Sequence, residues 1–408
     1  MPISGQKHLN SLGKSGLRIA AAIVALHVVS WPCQTEAKII AKRPMNGLVI
    51  DLDVARKSGD LLVATRSDPE IPGGGKNGIS LISSAAKLIW KKNLNWQVRA
   101  QSISPDGTLA VISTYDGKLT AIGRQGRTVW ETEETCRPYV LKNLSVFCYH
   151  DEDSAPDIAF DWFDKSGKKK LSFPIIGDIL AFAISTDERN LALALTDGRV
   201  ILLENGGTSL KSSVRALVQK TLPGEILDIA VGSGTSPIVT VISRDKKPGA
   251  VNQTQLATLD HSGKLSSPVA LGFAAEQLEL SGTANHLLIR GGHRSKSDHV
   301  AVLAAFEISV DGTPLARATL KKRAESRIPG VGPAWMEFPG GDKVALGAPC
   351  PDCFLLWDPF RNKSFEIPVR PEATLFRTSR VRAKARLIIA LDNGHLVIYE
   401  LSTPGERP

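Results

Sequence analysis

After its N-terminal segment the 408-residue sequence has no second long apolar run, so it is not a polytopic membrane protein. No stretch repeats its apolar residues at helical spacing, which argues against a helical solenoid. There is no Gly-x-Ser-x-Gly elbow and no His-Glu-x-x-His pair, so peptidase or esterase machinery has no visible basis. Charged residues make up only 22% of the chain and hydrophobic ones 42%, a balance that excludes a disordered polypeptide. The length exceeds one ordinary single-core domain and points to several domains or one large repeat architecture.

What is present begins with a targeting segment. Lys7, Lys14 and Arg18 precede the apolar stretch from Ile19 to Val29, which has the length of a signal-peptide core. Trp31-Pro32 ends it, and Thr35 and Ala37 are the small residues expected for cleavage before Lys38. An uncleaved membrane anchor is the alternative. Cys33 follows Trp31-Pro32, where a lipobox needs small residues, so no lipid anchor is expected. This reading assigns residues 1–37 to a leader, 38–403 to one folded domain and 404–408 to a tail, and places the mature chain in the periplasm or outside the cell. Loss of Lys7, Lys14, Arg18 and Glu36 lowers the formal net charge from +9 to +7.

Export changes the meaning of cysteine. Cys136, Cys148, Cys350 and Cys353 remain, an even number that points to disulfides in an oxidising compartment. Strands at Pro138–Leu141 and Leu144–Phe147, joined at Lys142-Asn143, would set Cys136 and Cys148 face to face across a hairpin. Two buried free thiols are the alternative. Cys350-Pro351-Asp352-Cys353 lies between two apparent strands. Redox pairs of this spacing sit at a helix N-terminus, so a loop disulfide is the expectation here. A single zinc site would need both pairs to converge, and their separation along the chain argues against it.

The body of the chain is a repeat. One unit runs from Val98. Gln101–Ser104 leads through Pro105-Asp106-Gly107 to Leu109–Ser113, then through Tyr115-Asp116-Gly117 to Leu119–Ile122, and Gln125-Gly126-Arg127 opens Thr128-Val129-Trp130. A second copy starts near Ile179 and carries Thr196-Asp197-Gly198. Weaker copies surround Ser166-Gly167, Ser262-Gly263, Asp311-Gly312 and Asn393-Gly394. Trp90 to Trp130 is a step of 40 residues and Gly263 to Gly312 one of 49, the period of four-stranded propeller blades. Eight units are expected, starting near Gly47, Asn95, Thr135, Gly177, Leu222, Gly272, Gly330 and Glu372, with seven as the runner-up count. The last unit ends after its third strand at Leu401, and Lys38–Lys42 is expected to supply the fourth and seal an all-β propeller.

The unit tails, such as Gly123–Trp130 and Leu259–Leu265, resemble the PQQ-like, quinoprotein-type propeller repeat. The Ser104–Gly107 and Thr196–Gly198 turns are similar to those of WD40 blades. The resemblance covers nearly all of residues 38–401 and implies the fold. Quinone-dependent enzymes of that family carry an adjacent Cys-Cys ring, which is missing here, so the non-enzymatic branch is the expectation, without cofactor or metal. Members of that branch, such as the propeller lipoprotein of the outer-membrane β-barrel assembly machine, are interaction platforms.

Several clusters carry side chains capable of chemistry. Asp151, Glu152, Asp153 and Asp157 lack calcium-loop spacing and read as a solvated loop. Gly73-Gly74-Gly75-Lys76 lacks the strand and helix of a phosphate-binding loop. His293, Arg294, Asp298 and His299 read as a polar blade loop. Arg380, Arg382, Lys384 and Arg386 alternate at period two after Arg377, which in one strand would place four cations on a face. Lys321-Lys322-Arg323 with Arg327, and Lys168-Lys169-Lys170, add further basic stretches. These five residues, from Arg377 to Arg386, are the expected partner-binding candidates, for a protein or an anionic envelope component rather than nucleic acid. The expected role is a monomeric exported scaffold without catalysis or membrane insertion. The alternative is a ligand-binding sensor or enzyme with its site at the channel mouth.

Overall fold

A computed structural model describes residues 37–401 except 69, 71–74, 151–157, 175–176, 205–214, 246–253, 282–284, 295–298, 311–317, 330–344, 351–352, 359–362, 370–372 and 382–383. Among the described residues every regular element is a strand. The first is β1 (Ala37–Pro44). Sheet 1 follows with β2 (Leu48–Val54), β3 (Leu61–Arg66), β4 (Asn77–Ile82) and β5 (Leu88–Leu94). Sheet 2 holds β6 (Val98–Ile103), β7 (Leu109–Thr114), β8 (Lys118–Gly123) and β9 (Thr128–Glu133). Sheet 3 holds β10 (Arg137–Val140), β11 (Val146–Tyr149), β12 (Ile158–Phe163) and β13 (Lys169–Pro174), and sheet 4 holds β14 (Ile179–Ile184), β15 (Asn190–Leu195), β16 (Arg199–Glu204) and β17 (Arg215–Thr221). Sheet 5 is β18 (Glu225–Val231), β19 (Val239–Arg244), β20 (Thr254–Leu259) and the short β21 (Val269–Ala270). Sheet 6 is β22 (Ala274–Leu280), β23 (His286–Arg294), β24 (His299–Val310) and β25 (Ala318–Pro329). Sheet 7 shows three strands among the described residues, β26 (Ala345–Cys350), β27 (Cys353–Asp358) and β28 (Lys363–Pro368). In sheet 8, β29 (Ala373–Val381), β30 (Lys384–Leu391) and β31 (His395–Leu401) are joined by β1 from the other end of the chain. Seven sheets begin within three residues of the starts expected from sequence, and Gly330 lies outside the described residues.

Local sequence explains the units. Middle strands are buried on both faces and read as continuous apolar runs: all six residues of β7 and of β15 are buried. Fourth strands such as β5 are exposed or half-buried apart from one residue, Trp90. The last turn of a unit is fixed by its aspartate. Asp164 Oδ1 accepts hydrogen bonds from the backbone N–H of Ser166 and Lys168, and Asp260 Oδ1 does the same for Ser262 and Lys264. Gly167 then turns with φ 82°, and a Cβ there would lie 2.6 Å from the ring of Trp130. The repeated tryptophan of one sheet thus packs beneath the glycine turn of the next.

The hydrophobic cores lie between successive sheets. Trp90 and Ile79 of sheet 1 pack on Ile103 and Ile112 of sheet 2, and Trp130 of sheet 2 packs on Val146 and Phe163 of sheet 3. The series continues to Ile388, Ala390 and Ile398 of sheet 8, which meet Leu52, Leu61 and Val63 of sheet 1. Neither sheet face is left to water at these junctions, which is how stacked repeats stabilise one another.

The expected pairing of the first strand with the last unit is present: β1 runs antiparallel to β31 from Ala37 opposite Leu401 to Pro44 opposite His395. Its register carries a further sign. In sheet 2 the fourth strand is bulged where it meets Ala121 and Ile122, four residues beyond the turn glycine Gly117. β1 is bulged where it meets Ile398 and Tyr399, the same distance beyond Gly394. Sheets 1, 3, 4 and 6 have a corresponding bulge between their third and fourth strands. β1 is therefore shaped as a fourth strand, with the extra local twist that a bulge gives.

Candidate functional site: the channel wall and one loop face

Cys136 and Cys148 form a disulfide with their Cα atoms 5.5 Å apart. The hairpin differs from the expected one in register. Cys148 lies opposite Pro138, so the bond runs diagonally from the residue before β10 rather than straight across. The turn contains the left-handed Leu144 (φ 64°), and Leu144 N donates to Leu141 O, which carries the two strands past the simple midpoint.

Beside the disulfide is a buried ion network. His150 Nε2 and Asp161 Oδ2 are 3.0 Å apart, with side chains 5% and 1% exposed. Lys169 Nζ donates to Asp161 at 2.8 Å and also pairs with Glu134, while Ser172 donates its hydroxyl to Asp161. Burial alone would raise the Asp161 pKa. The donors His150, Lys169 and Ser172 and the lysine charge prevail and hold it at about 2. Glu134, His150 and Asp161 have metal-ligating chemistry within 4.8 Å of one another. The Lys169 ammonium already supplies the cation between the two carboxylates, so the group reads as an internal ion network that ties the end of sheet 2 to sheet 3.

Among the described residues the first strand β2 touches β6 and β29, β6 touches β10, and β18 touches β14 and β22, as inner strands lining the axis of a propeller do. Six of them, β2, β6, β14, β18, β22 and β29, are bulged near their starts. Each inner strand turns one edge away from its sheet, and the backbone N–H groups there need acceptors. Side chains of the preceding sheet provide them. Asp53 Oδ2 accepts from Ile103 N at 2.9 Å, Ser102 Oγ from Val140 N at 3.1 Å, and Asp228 Oδ2 from Leu278 N at 2.8 Å. Asp51, Asp53 and Arg56 of sheet 1 feel the charges of Arg137 of sheet 3, Glu188 and Glu279 of sheets 4 and 6, and Arg377 of sheet 8. Burial pushes the Asp51 and Asp53 carboxyls up, against the backbone donors and Arg377.

Among solved structures, BamB from Moraxella catarrhalis matches 90% of this chain and 100% of its own, with a TM-score of 0.59 and 15% identity. The β-propeller domain of Myceliophteria thermophila Cps50 (Swd1) matches the same shares, 90% and 100%, with a TM-score of 0.52 and 9% identity. The chain is a β-propeller repeat protein. No protein-family model and no curated protein matches its sequence.

Asp228 is the channel carboxylate with the clearest energetic signature. Burial raises its pKa to about 6, against the N–H donors of Leu278 and Ile229 and the charge of Arg290. The folded value lies above the ordinary 3.8, so folding takes up a proton between the two. Stability contributed by this group is complete below about pH 4 and is lost as pH rises through about 6. Asp228→Asn keeps an oxygen acceptor and removes the charge. It is expected to stabilise the propeller by about 1 kcal/mol at neutral to alkaline pH, with the gain closing towards pH 4. Urea midpoints across that range check it.

The expected basic row does not form. A hairpin, not one strand, carries it: β29 ends at Val381 opposite Lys384, and Arg380 lies opposite Ala385. Lys384 Nζ pairs with Glu400 at 2.6 Å, and Arg386 reaches Glu400 at 4.0 Å and the carbonyl of Ser84 in blade 1. Arg377 faces the Asp51 and Asp53 carboxyls at the channel. Arg382 and the Arg380 side chain lie outside the described residues. Lys322 and Arg323 sit on the last strand of blade 6 and pair with Glu325 and Glu307. Cys350 is opposite Cys353 across the β26–β27 hairpin, and their side chains lie outside the described residues. So do the acidic loop of residues 151–157, Gly73 and Gly74, Asp298, and the side chains of His293, Arg294 and His299.

Two large aromatic side chains that no sequence motif marks as functional lie exposed. Trp96, in the link from blade 1 to blade 2, is 55% exposed, and Tyr115, in the β7–β8 turn, is 62% exposed. The two segments are joined: Tyr115 N donates to Gln97 O at 3.2 Å. The turn rests on the next link, since a Cβ on Gly117 would lie 3.3 Å from Thr135 Oγ1. The signal was available in the sequence, as large aromatics in turns that need only small or polar residues.

Proposed function

We propose that this propeller is an exported, non-catalytic scaffold that holds a protein partner on the loop face of blades 1 to 3. The observation that carries this reading is the exposure of Trp96 and Tyr115 on a frame held by sheet pairing and a disulfide. Exposed large aromatics are unfavourable in water and are enriched where proteins bind one another. The Cys136–Cys148 bond and the apolar leader support an oxidising compartment, periplasmic or extracellular. Pairing of Lys384 and Arg386 with Glu400 favours a protein over an anionic envelope polymer at that hairpin. Photo-crosslinking from positions spread over the propeller surface tests the reading: a reproducible protein adduct is expected, and its absence from every position would overturn it. Amino-terminal sequencing of the exported chain should begin at Lys38.

The disulfide has its own expected outcome. It closes a 12-residue separation, so replacing both Cys136 and Cys148 by serine should cost about 2–3 kcal/mol. Urea midpoints of the double variant should match those of the reduced wild type. An unchanged midpoint would mean that blade packing alone fixes this hairpin.

A further inference from the structure

We infer that the end of the propeller opposite Tyr115 lies on an anionic lipid bilayer, through the third-to-fourth turns of blades 1 to 3 and the start of β1. This goes beyond the scaffold reading, because it concerns the other end of the molecule and leaves the Trp96 face to a protein. Strands within each sheet are antiparallel, so the second-to-third turns and the third-to-fourth turns lie at opposite ends. Four third-to-fourth turns are described in full, and all close in the same way. Ser83 N donates to Lys87 O, Gly123 N to Arg127 O, Asp164 N to Lys168 O and Asp260 N to Lys264 O. The residue at this one position is each time an exposed cation, and none of the four side chains has an ion-pair partner among the described residues.

Charge at this end is not cancelled by its surroundings. With Arg124 and Lys165 the four turns hold six cations against two acids, Asp164 and Asp260, and both acids accept N–H groups of their own turns. The first-to-second turns beside them add no net charge: Arg56, Lys57, Lys142 and Arg189 stand against Asp60, Asp106, Asp187 and Glu188. At the other end the sign is reversed. The second-to-third turns carry Asp68, Glu70, Asp116, Asp197, Asp245 and Asp392, and Lys76 is the only Lys or Arg among their described residues.

Aliphatic surface beside the cations selects lipid. Leu88 follows Lys87 and is 45% exposed, Val129 comes two residues after Arg127 and is 54% exposed, and Ile39 follows Lys38 in β1 and is 55% exposed. At an anionic bilayer such alkyl groups enter the headgroup layer while ammonium and guanidinium groups meet phosphate. A soluble polyanion would use the cations and leave the aliphatics in water. The turns form one arc, since each rests on the blade before it: a Cβ on Gly126 would lie 3.0 Å from Trp90, and one on Gly167 2.6 Å from Trp130. The chain also enters the fold here. Ala37 lies opposite Leu401, with seven residues between it and Val29 at the end of the apolar stretch, so export delivers this end to the bilayer.

Flotation of the exported chain with vesicles tests the inference. Binding is expected to vesicles of phosphatidylglycerol mixed with phosphatidylcholine, should weaken as salt is added, and should be lost on pure phosphatidylcholine. The triple variant Lys87→Gln, Arg127→Gln, Lys168→Gln should bind about a hundredfold more weakly, at about fivefold for each charge. The same loss of charge at the opposite end, Arg66→Gln, Lys76→Gln, Lys220→Gln, should leave binding within about twofold. Leu88→Ser with Val129→Ser should weaken vesicle binding about tenfold and leave retention on immobilised polyglutamate unchanged. Equal binding to the two kinds of vesicle, or equal losses from the two charge variants, would overturn the inference. So would vesicle binding indifferent to the serine variant, which would assign these cations to a soluble acidic ligand. No variant touches Trp96 or Tyr115, so crosslinking at that face reports separately on the scaffold reading.

Discussion

Replacing Asp161 by alanine is expected to cost about 3 kcal/mol, because it leaves buried charge and hydrogen-bonding groups without their common partner. His150 loses the acceptor of its Nε2, and its Nδ1 already lacks a partner among the described residues. Ser172 loses its acceptor, and Lys169 keeps only Glu134. The damage falls beside the junction of blades 2 and 3, where Lys169 of β13 bridges Glu134 to this aspartate of β12. Asp161→Asn should cost less, since an amide oxygen can still accept from Ser172. Equal losses for the two variants would show that the charge itself is what matters.

The pH dependence of that loss has a definite sign. Asp161 titrates at about 2 in the folded chain against 3.8 for an ordinary aspartate. A lowered carboxyl pKa gives stability that is present above the unfolded value and disappears as pH falls through the folded one. The wild type should therefore lead Asp161→Asn by on the order of 2 kcal/mol near neutrality, and the gap should narrow between about pH 4 and pH 2. Asp228 moves the other way, gaining stability as pH falls through about 6. Comparing single and double variants separates the two contributions, and their sites are in different blades, so the effects should add.

Much of this architecture was legible in sequence because its punctuation is local. Asp116-Gly117, Ser166-Gly167 and Asn393-Gly394 mark turns that require the left-handed backbone seen at Gly117, Gly167 and Gly394. Apolar runs such as Asn190–Leu195 identify middle strands by content alone. The misreadings share one cause, a pattern in sequence without the register that interprets it. Arg380, Arg382, Lys384 and Arg386 alternate perfectly, but the chain reverses between Val381 and Lys384, and alternation across a hairpin does not keep one face. Symmetry about Lys142 suggested directly opposed cysteines, whereas the actual turn shifts Cys148 to Pro138. The Glu134–Lys169–Asp161–His150 network was not legible at all, since it joins side chains from two strands and two connecting segments that only packing brings together. The same holds for the channel wall, where Asp53 and Asp228 answer to N–H groups in the next blade.

Deleting β1 should be more damaging than its eight residues at the chain's edge suggest. Without it, β31 becomes a bare strand edge bearing Leu396, Val397, Ile398 and Tyr399, all 5% exposed or less in the intact chain. Ile40 and Ala41 also leave the core where Met45, Val49 and Leu396 meet. The lost backbone hydrogen bonds alone are worth about 1 kcal/mol each, and an uncovered apolar edge invites pairing between molecules. A chain beginning at Met45 is therefore expected to aggregate or to elute as higher oligomers, measured by light scattering on a sizing column. The register supplies a control that separates loss of a strand from loss of a terminus. Ala37 lies opposite Leu401, so a short turn can join them directly. A circular permutant that starts at Gly47, runs to Leu401 and continues through such a turn into residues 37–46 makes β31 and β1 an ordinary hairpin. It should be monomeric and as stable as the parent to within about 1 kcal/mol. If the simple deletion behaved as well as the permutant, β1 would be an ornament on a propeller that needs no help from its other end, and its bulge, shared with the fourth strands of five other blades, would have no physical account.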